Sequence, residues 1–272
     1  MTGNEFRQAL KNGKSVYGTM IVSPSPRWMD VIGQLDLDFV FVDTEHIAID
    51  RHQLSWMCHA YAGKGIVPVV RIPSPDPYQA CMALDGGAKG IVAPYVETIN
   101  EVQQLRGAIK HRPLKGKKLS DYLDGKRELE PELMEYLKKY NEDHVFIINV
   151  ESQTAIDNLD EILKVPGLDA VLIGPHDLSC NLGVPEQYDH QKFKAAVEDI
   201  ITRARKAGIG AGIHVFYDDS VKHELEWAEK GANLILHSGD INRFAQTMHD
   251  DIIKLRNAAD KKKGKSSVSV NI

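Results

Sequence analysis

Eight short apolar runs, most of them followed by a longer amphipathic stretch, constrain this chain more than any other feature. They are SVYGTMI (15–21), DFVFVD (38–43), IVPVVR (66–71), GIVAPYV (90–96), VFIINVE (145–151), DAVLIG (169–174), IGAGIHV (209–215) and NLILHSG (233–239). All are rich in Val and Ile and mostly continuous rather than alternating. Strands buried on both faces have this character, as in a parallel sheet covered by helices. The segments 52–62, 77–86, 98–110, 153–164, 190–207, 218–230 and 241–257 carry apolar residues at three- and four-residue steps, the spacing of amphipathic helices. In 241–257 the stripe is Phe244, Met248, Ile252 and Leu255.

Eight strands alternating with helices in 272 residues predict an α/β fold, a single-domain (β/α)8 TIM barrel, which needs roughly 250 residues. The barrel is expected over 1–258, followed by a flexible basic and polar tail over 259–272 that contains Lys261–Lys263 and Lys265. An open doubly wound sheet is the structural alternative, but no GxGxxG follows the first run, which weakens a dinucleotide-binding version. One connection, 111–144, is unusually long. Its first half is rich in charge, Gly and Pro, and its second half, from Pro131, reads as a helix with Pro in the first turn.

Charge and composition narrow the function classes. A net charge of −5 argues against bulk nucleic-acid binding. No apolar run approaches the roughly 20 residues of a membrane span, and the polar N-terminus has no apolar signal core. Cys58, Cys81 and Cys180 are widely spaced and form no CxxC, as expected of reduced thiols in a cytoplasmic protein.

Chemistry in such a barrel sits at the C-terminal ends of the strands. The ionisable residues that fall there are Asp43, Glu45 and His46 after run two, Arg71 after run three, Glu151 after run five, His176 and Asp177 after run six, and His214 and His237 in runs seven and eight. Each has a plainer reading. Glu151 could cap the next helix, Asp177 could be a turn residue, Arg71 could form a structural ion pair with Asp43 or Glu45, and His46 could be an ordinary surface or packed histidine. His214 and His237 read as structural. Taken jointly, carboxylates, an arginine and a histidine converge on one rim from separate strands. Two carboxylates with open coordination positions suit a hard ion such as Mg2+ or Mn2+. Arginine suits a carboxylate held by two hydrogen bonds, and histidine moves protons near neutral pH. A metal and an arginine together suit a 2-oxo acid. A Schiff-base route needs a lysine at a strand's C-terminal end, whereas Lys64, Lys89 and Lys164 all precede strands.

These residues lie in motifs that resemble the HpcH/HpaI aldolase family: FVFVDTEH, PVVRIP, GAKGIVAPYVET, INVES with AIDNLDEIL, GLDAVLIGPHDLSCNLG and GANLILHSGD, from about Val16 to Leu255. The resemblance implies a class II aldolase that reversibly cleaves a 4-hydroxy-2-oxo acid to pyruvate, or a related 2-oxo acid, and an aldehyde. It implies Glu151 and Asp177 as ligands of a divalent ion (Mg2+ or Mn2+, with Co2+ also suitable). It implies Arg71 at the keto oxygen and developing enolate, and His46, supported by Asp43, as general acid/base. The backbone of Gly174, Pro175 and His176 would cradle the 2-oxo-acid carboxylate. The family also implies a hexamer, a trimer of dimers that exchange the last helix. Alternatives are a citrate-synthase-like condensation, a 2-oxo-acid decarboxylase, or a non-catalytic oxo-acid-binding protein. Three departures bear on substrate choice rather than on the metal: Met20 where Trp is common, His176 where the family motif has Ala, and a loop PLKGKKLS at 113–120 that lacks the usual arginine.

Overall fold

The computed structural model describes residues 1–217 and 220–260. In chain order, α1 (Gly3–Lys11) precedes β1 (Val16–Met20), α2 (Pro26–Ile32), β2 (Phe39–Asp43), α3 (Arg51–Gly63), β3 (Val67–Arg71), α4 (Pro77–Asp85) and β4 (Gly90–Ala93). The long connection holds α5 (Ile99–Lys110), α6 (Gly116–Leu123) and α7 (Pro131–Tyr140) before β5 (Val145–Val150). Then come α8 (Gln153–Asp157), α9 (Leu159–Ile162), β6 (Ala170–Ile173), α10 (Pro175–Asn181), α11 (Gln191–Lys206), β7 (Gly210–Val215), α12 (Ser220–Glu229), β8 (Leu234–Gly239) and α13 (Asp240–Asp260). The eight strands run parallel in sequence order, and β1 pairs with β8 to close the barrel. The eight expected strands are all present, each within a few residues of the apolar run that predicts it.

Alternation along each strand divides two cores. Phe39 and Phe41, Val67 and Val69, Val145 and Ile147, and Leu234 and Leu236 fill the barrel interior. Their neighbours Val40, Val42, Val70, Phe146 and Ile148 face the helices. The interior leaves little room: a Cβ on Gly18 would lie 2.6 Å from the Phe39 ring. α1 plugs the N-terminal end. Thr2 and Glu5 form a capping box that starts it. Phe6 and Leu10, one turn apart, then enter the barrel, with Phe6 edge-on to Phe39 at 5.4 Å. Truncating a buried phenylalanine of this kind costs about 3–5 kcal/mol. With that end filled, the opposite end is left for chemistry.

Four elements lie outside the predicted set. α1, α2, α6 and α10 are short, and their apolar residues are too few to show a periodicity. The segment 153–164, expected as one helix, is broken at Asn158, which closes α8 and opens α9. Helix α13 runs through Asp260, two residues into the expected tail. The rest of that tail, 261–272, lies outside the described residues. Among the described residues, no helix is long and apolar enough to cross a membrane.

Candidate active site

The same period of two that fills the barrel carries its inward columns up to the rim. Phe39 and Phe41 lead to Asp43, Val67 and Val69 lead to Arg71, and Val145 and Ile147 lead to Asn149 and Glu151. Asp43 and Arg71 are direct register partners on β2 and β3. Arg71 donates to both oxygens of Asp43, from Nε to Oδ1 at 2.8 Å and from Nη2 to Oδ2 at 2.6 Å. Burial alone would raise the Asp43 pKa, but the hydrogen bonds and charge of Arg71 hold it below the ordinary value. Burial likewise pulls at the guanidinium, and Asp43, Glu45 and Glu151 outweigh it. The ion pair anticipated for Arg71 is therefore present, with Nη1 making no hydrogen bond among the described residues.

Glu45 sits just beyond. Its Oε2 lies 3.1 Å from Arg71 Nε, and its Oε1 lies 3.6 Å from His46 Nε2. That Oε2 is buried yet has no well-formed hydrogen bond. The His46 side chain is 44% exposed, open to a bound molecule. Asp43, expected to support His46, makes no hydrogen bond with it among the described residues, although the charge of His46 is among those that lower the Asp43 pKa. Both Asp43 oxygens are taken by Arg71, and Asp43 accepts in addition from the Glu45 amide at 3.0 Å. The carboxylate within reach of His46 is that of Glu45.

Glu151 follows β5 directly and is 5% exposed. Its Oε1 accepts from Asn149 Nδ2, and its Oε2 accepts from the Tyr95 amide at 3.3 Å. Burial pushes its carboxyl up to about 7, and the negative charge of Asp177 adds to the rise. Asp177 is half-buried in the first turn of α10, with Gly174 as N-cap and Pro175 at the first helical position. A Cβ on Gly174 would fall 2.1 Å from Glu151 Oε1, so only glycine lets the two strand ends approach. We expect Gly174→Ala to displace the Glu151 carboxylate and weaken divalent-metal binding about 10- to 100-fold, the usual cost of losing support behind a ligand. Calorimetric titration with Mn2+ measures it, and an unchanged affinity would show that Glu151 tolerates the shift.

Two like charges, one deeply desolvated, are costly side by side unless a cation lies between them. The donor set is all oxygen, as hard divalent ions require. The residues present therefore fit a Mg2+- or Mn2+-type ion held by Glu151 and Asp177. Among the described residues no group of three or more His, Cys, Asp or Glu forms a ready-made cage, so water and substrate would supply the remaining ligands.

Of the other singled-out residues, His214 feels the charges of Arg71, Asp43 and His46 from inside the barrel, whereas His176 and His237 pair with other carboxylates. His176 is exposed beside Glu186, with Nδ1 3.5 Å from Oε1. His237 pairs with Glu224 at 2.8 Å. His214 lies inside the barrel between Phe41 and Phe216, where burial pushes its pKa down to about 3. Met20 is buried at the end of β1. The segment 113–120 leads into α6, whose Leu119 and Leu123 pack on α5 beside Gly107. Two residues of the rim, Asn149 and Tyr95, had no role in the sequence reading, and Glu45 entered it only as a rim carboxylate and possible ion-pair partner of Arg71. Asn149 was legible as the residue two before Glu151 on the same inward column. Tyr95 gave no signal, because its place depends on a positive φ of 53°.

A parallel barrel whose carboxylates, arginine and histidine meet at the C-terminal rim defines the class, and comparison with known proteins gives the family. The family model for HpcH/HpaI aldolase/citrate lyase matches residues 17–241, and the chain belongs to that family of carbon–carbon lyases. The hydroxypyruvate/pyruvate aldolase of Roseovarius nubinhibens is 30% identical over 253 residues, covering 93% of this chain and 97% of that one. The 2-keto-3-deoxy-L-rhamnonate aldolase of Shigella boydii is 29% identical over 245 residues, 90% of each chain. The crystal structure of an HpcH/HpaI aldolase from Desulfitobacterium hafniense is 28% identical and superposes with a TM-score of 0.77, covering 92% of this chain and 96% of that one. The chain is thus an enzyme of the aldolase type, and the non-catalytic alternative falls.

Proposed function

We propose that the protein is a metal-dependent aldolase that reversibly cleaves a 4-hydroxy-2-oxo acid to pyruvate, or a close 2-oxo acid, and an aldehyde. The observation that carries this reading is the buried Glu151 carboxylate beside Asp177, with Arg71 on the neighbouring rim and no strand ending in lysine. The named activities of the Roseovarius and Shigella relatives support the donor class. When bound by Glu151 and Asp177, a divalent ion (Mg2+ or Mn2+, with Co2+ as a third choice) supplies Lewis-acid polarisation of the oxo acid. Arg71, already fixed by Asp43, offers Nη1 to the oxygen that gains negative charge. The first-turn amides of α10, after Gly174 and Pro175 and beginning at His176, have no carbonyl partner within the helix and suit the substrate carboxylate. His46 moves a proton to or from the 4-hydroxyl, with Glu45 behind it. Pyruvate offered with a panel of aldehydes and divalent ions, read by product mass, tests the reading. Products that survive exhaustive chelation, or a borohydride-trapped lysine adduct, would sink it.

The proposed assembly is a hexamer, a trimer of dimers exchanging α13, in the cytoplasm, without membrane or nucleic-acid partners. Its support is that the apolar stripe of α13 is open to solvent: Phe244, Met248, Ile252 and Leu255 are all exposed. A monomer gains nothing from such a stripe, and burying each large side chain is worth about 1.5–3 kcal/mol. Phe244→Glu should lower the particle mass seen by light scattering after size exclusion. A monomeric wild-type protein would remove the proposal.

A further inference from the structure

We propose that Asn149 is a positioning residue for the metal site: together with the Tyr95 backbone amide, its side-chain amide fixes the plane of the Glu151 carboxylate and so favours a small octahedral ion over Ca2+. This role rests on the metal reading above. Asn149 is fully buried on the inward column of β5, where Val145 and Ile147 lie below it and its register partner on β6 is Leu172. A leucine would suit that apolar layer better. The asparagine brings one hydrogen bond, from Nδ2 to Glu151 Oε1. It also brings one unmet need, because Oδ1 is buried and accepts nothing among the described residues. Turning the amide over gives no relief, since an acceptor would then face a carboxylate oxygen. A buried polar atom without a partner costs stability, so packing does not explain an amide at this position. Its bond to Glu151 does.

Each Glu151 oxygen is held from a different element. Oε1 receives Asn149 from β5, and Oε2 receives the Tyr95 amide, which follows β4, at 3.3 Å. Gly174, at the start of α10, closes on Oε1 so tightly that even a Cβ would collide with it. A carboxylate with one donor on each oxygen and a backbone against it cannot turn about its terminal bond without breaking a hydrogen bond. Its remaining lone pairs keep one direction. Mg2+, and Mn2+ of similar size, demand near-ideal octahedral geometry, whereas Ca2+ takes longer bonds in flexible arrangements. A fixed carboxylate suits the first kind of ion, and a loose one forfeits that preference.

The test is Asn149→Leu, which keeps the layer filled and removes both the donor and the unmet acceptor. Mn2+ and Ca2+ affinities are measured by calorimetric titration of the metal-stripped protein. Mn2+ affinity should fall about 10- to 100-fold, the usual loss when the support behind a ligand goes. Ca2+ affinity should change by less than about threefold, because a looser carboxylate still serves that ion. The metal-free protein should melt within about 3 °C of wild type, the lost hydrogen bond being offset by removal of the buried acceptor. Asn149→Val, smaller and suited to a strand, should give the same result and carries the test if leucine overfills the layer. Asn149→Gln, which keeps an amide donor on the same column, should hold Mn2+ within about fivefold of wild type. Unchanged Mn2+ affinity in the donor-free variants overturns the proposal. So does an equal fall for both ions, which would mark a residue kept for packing rather than for orientation. So does a loss in Asn149→Gln as large as that in Asn149→Leu. A wild-type protein that binds neither ion overturns the metal reading itself, and this role with it.

Discussion

Glu151→Gln and Asp177→Asn should each lower turnover by about 10³-fold or more, because Lewis-acid stabilisation of several kcal/mol disappears with the ion. Both should also abolish stoichiometric Mn2+ binding, read by titration. Full activity of either variant, or of metal-free wild type, would end the metal assignment. A second consequence has the opposite sign. In the metal-free protein the Glu151 carboxyl titrates near 7, raised from an ordinary 4.5 by burial and by Asp177. The folded state therefore holds that proton more tightly than the unfolded chain. The associated stability is fully present below about 4.5 and is lost as pH rises through about 7. Glutamine cannot ionise, so metal-free Glu151→Gln should melt at a higher temperature than metal-free wild type at pH values above 7. Thermal scans in chelator across that range measure it. The site would then be one where fitness to hold an ion costs stability in the ion's absence.

Arg71→Lys should cut kcat for both cleavage and oxaloacetate decarboxylation by about 10²–10³-fold, the usual loss when a stabiliser of developing oxyanion charge is removed. Charge is retained in this variant, but the planar fork is not. Lysine cannot serve both oxygens of Asp43 and still present a donor to substrate. Arg71→Ala goes further, because Asp43 is buried and in register with the missing partner. Leaving such a charge unpaired costs about 3–5 kcal/mol of stability. Adding Asp43→Asn to Arg71→Ala should recover much of that loss in a double-mutant cycle, while activity stays low. A near-wild-type rate in Arg71→Lys would reduce Arg71 to the structural ion pair that the geometry also displays.

The barrel was legible because its signal is repeated. Eight Val- and Ile-rich runs in one domain-sized chain admit few closed arrangements, and the rim residues follow from where each run ends. Asp43, Arg71 and Glu151 could be placed at one mouth by counting residues along inward columns. The helix α1 plug was not legible, since Phe6 and Leu10 form too short a stripe to register as a period. The division of labour among the acids was also hidden. Asp43 and Glu45 are two residues apart in one motif, and nothing in their spacing says that Arg71 takes the first and leaves the second near His46.

Sequence by itself therefore determined the class of fold, the open end, and which side chains reach it, because strand periodicity and burial are properties of local pattern. Tertiary structure alone decided who pairs with whom. Register between β2 and β3 sets Asp43 against Arg71. The absence of a side chain at Gly174 lets α10 approach Glu151. A left-handed turn at Tyr95 brings the backbone amide that follows β4 to Glu151 at the end of β5. Each of these depends on contacts between segments far apart in the chain, where a shift of one ångström changes the partner, and no local pattern records distances of that kind.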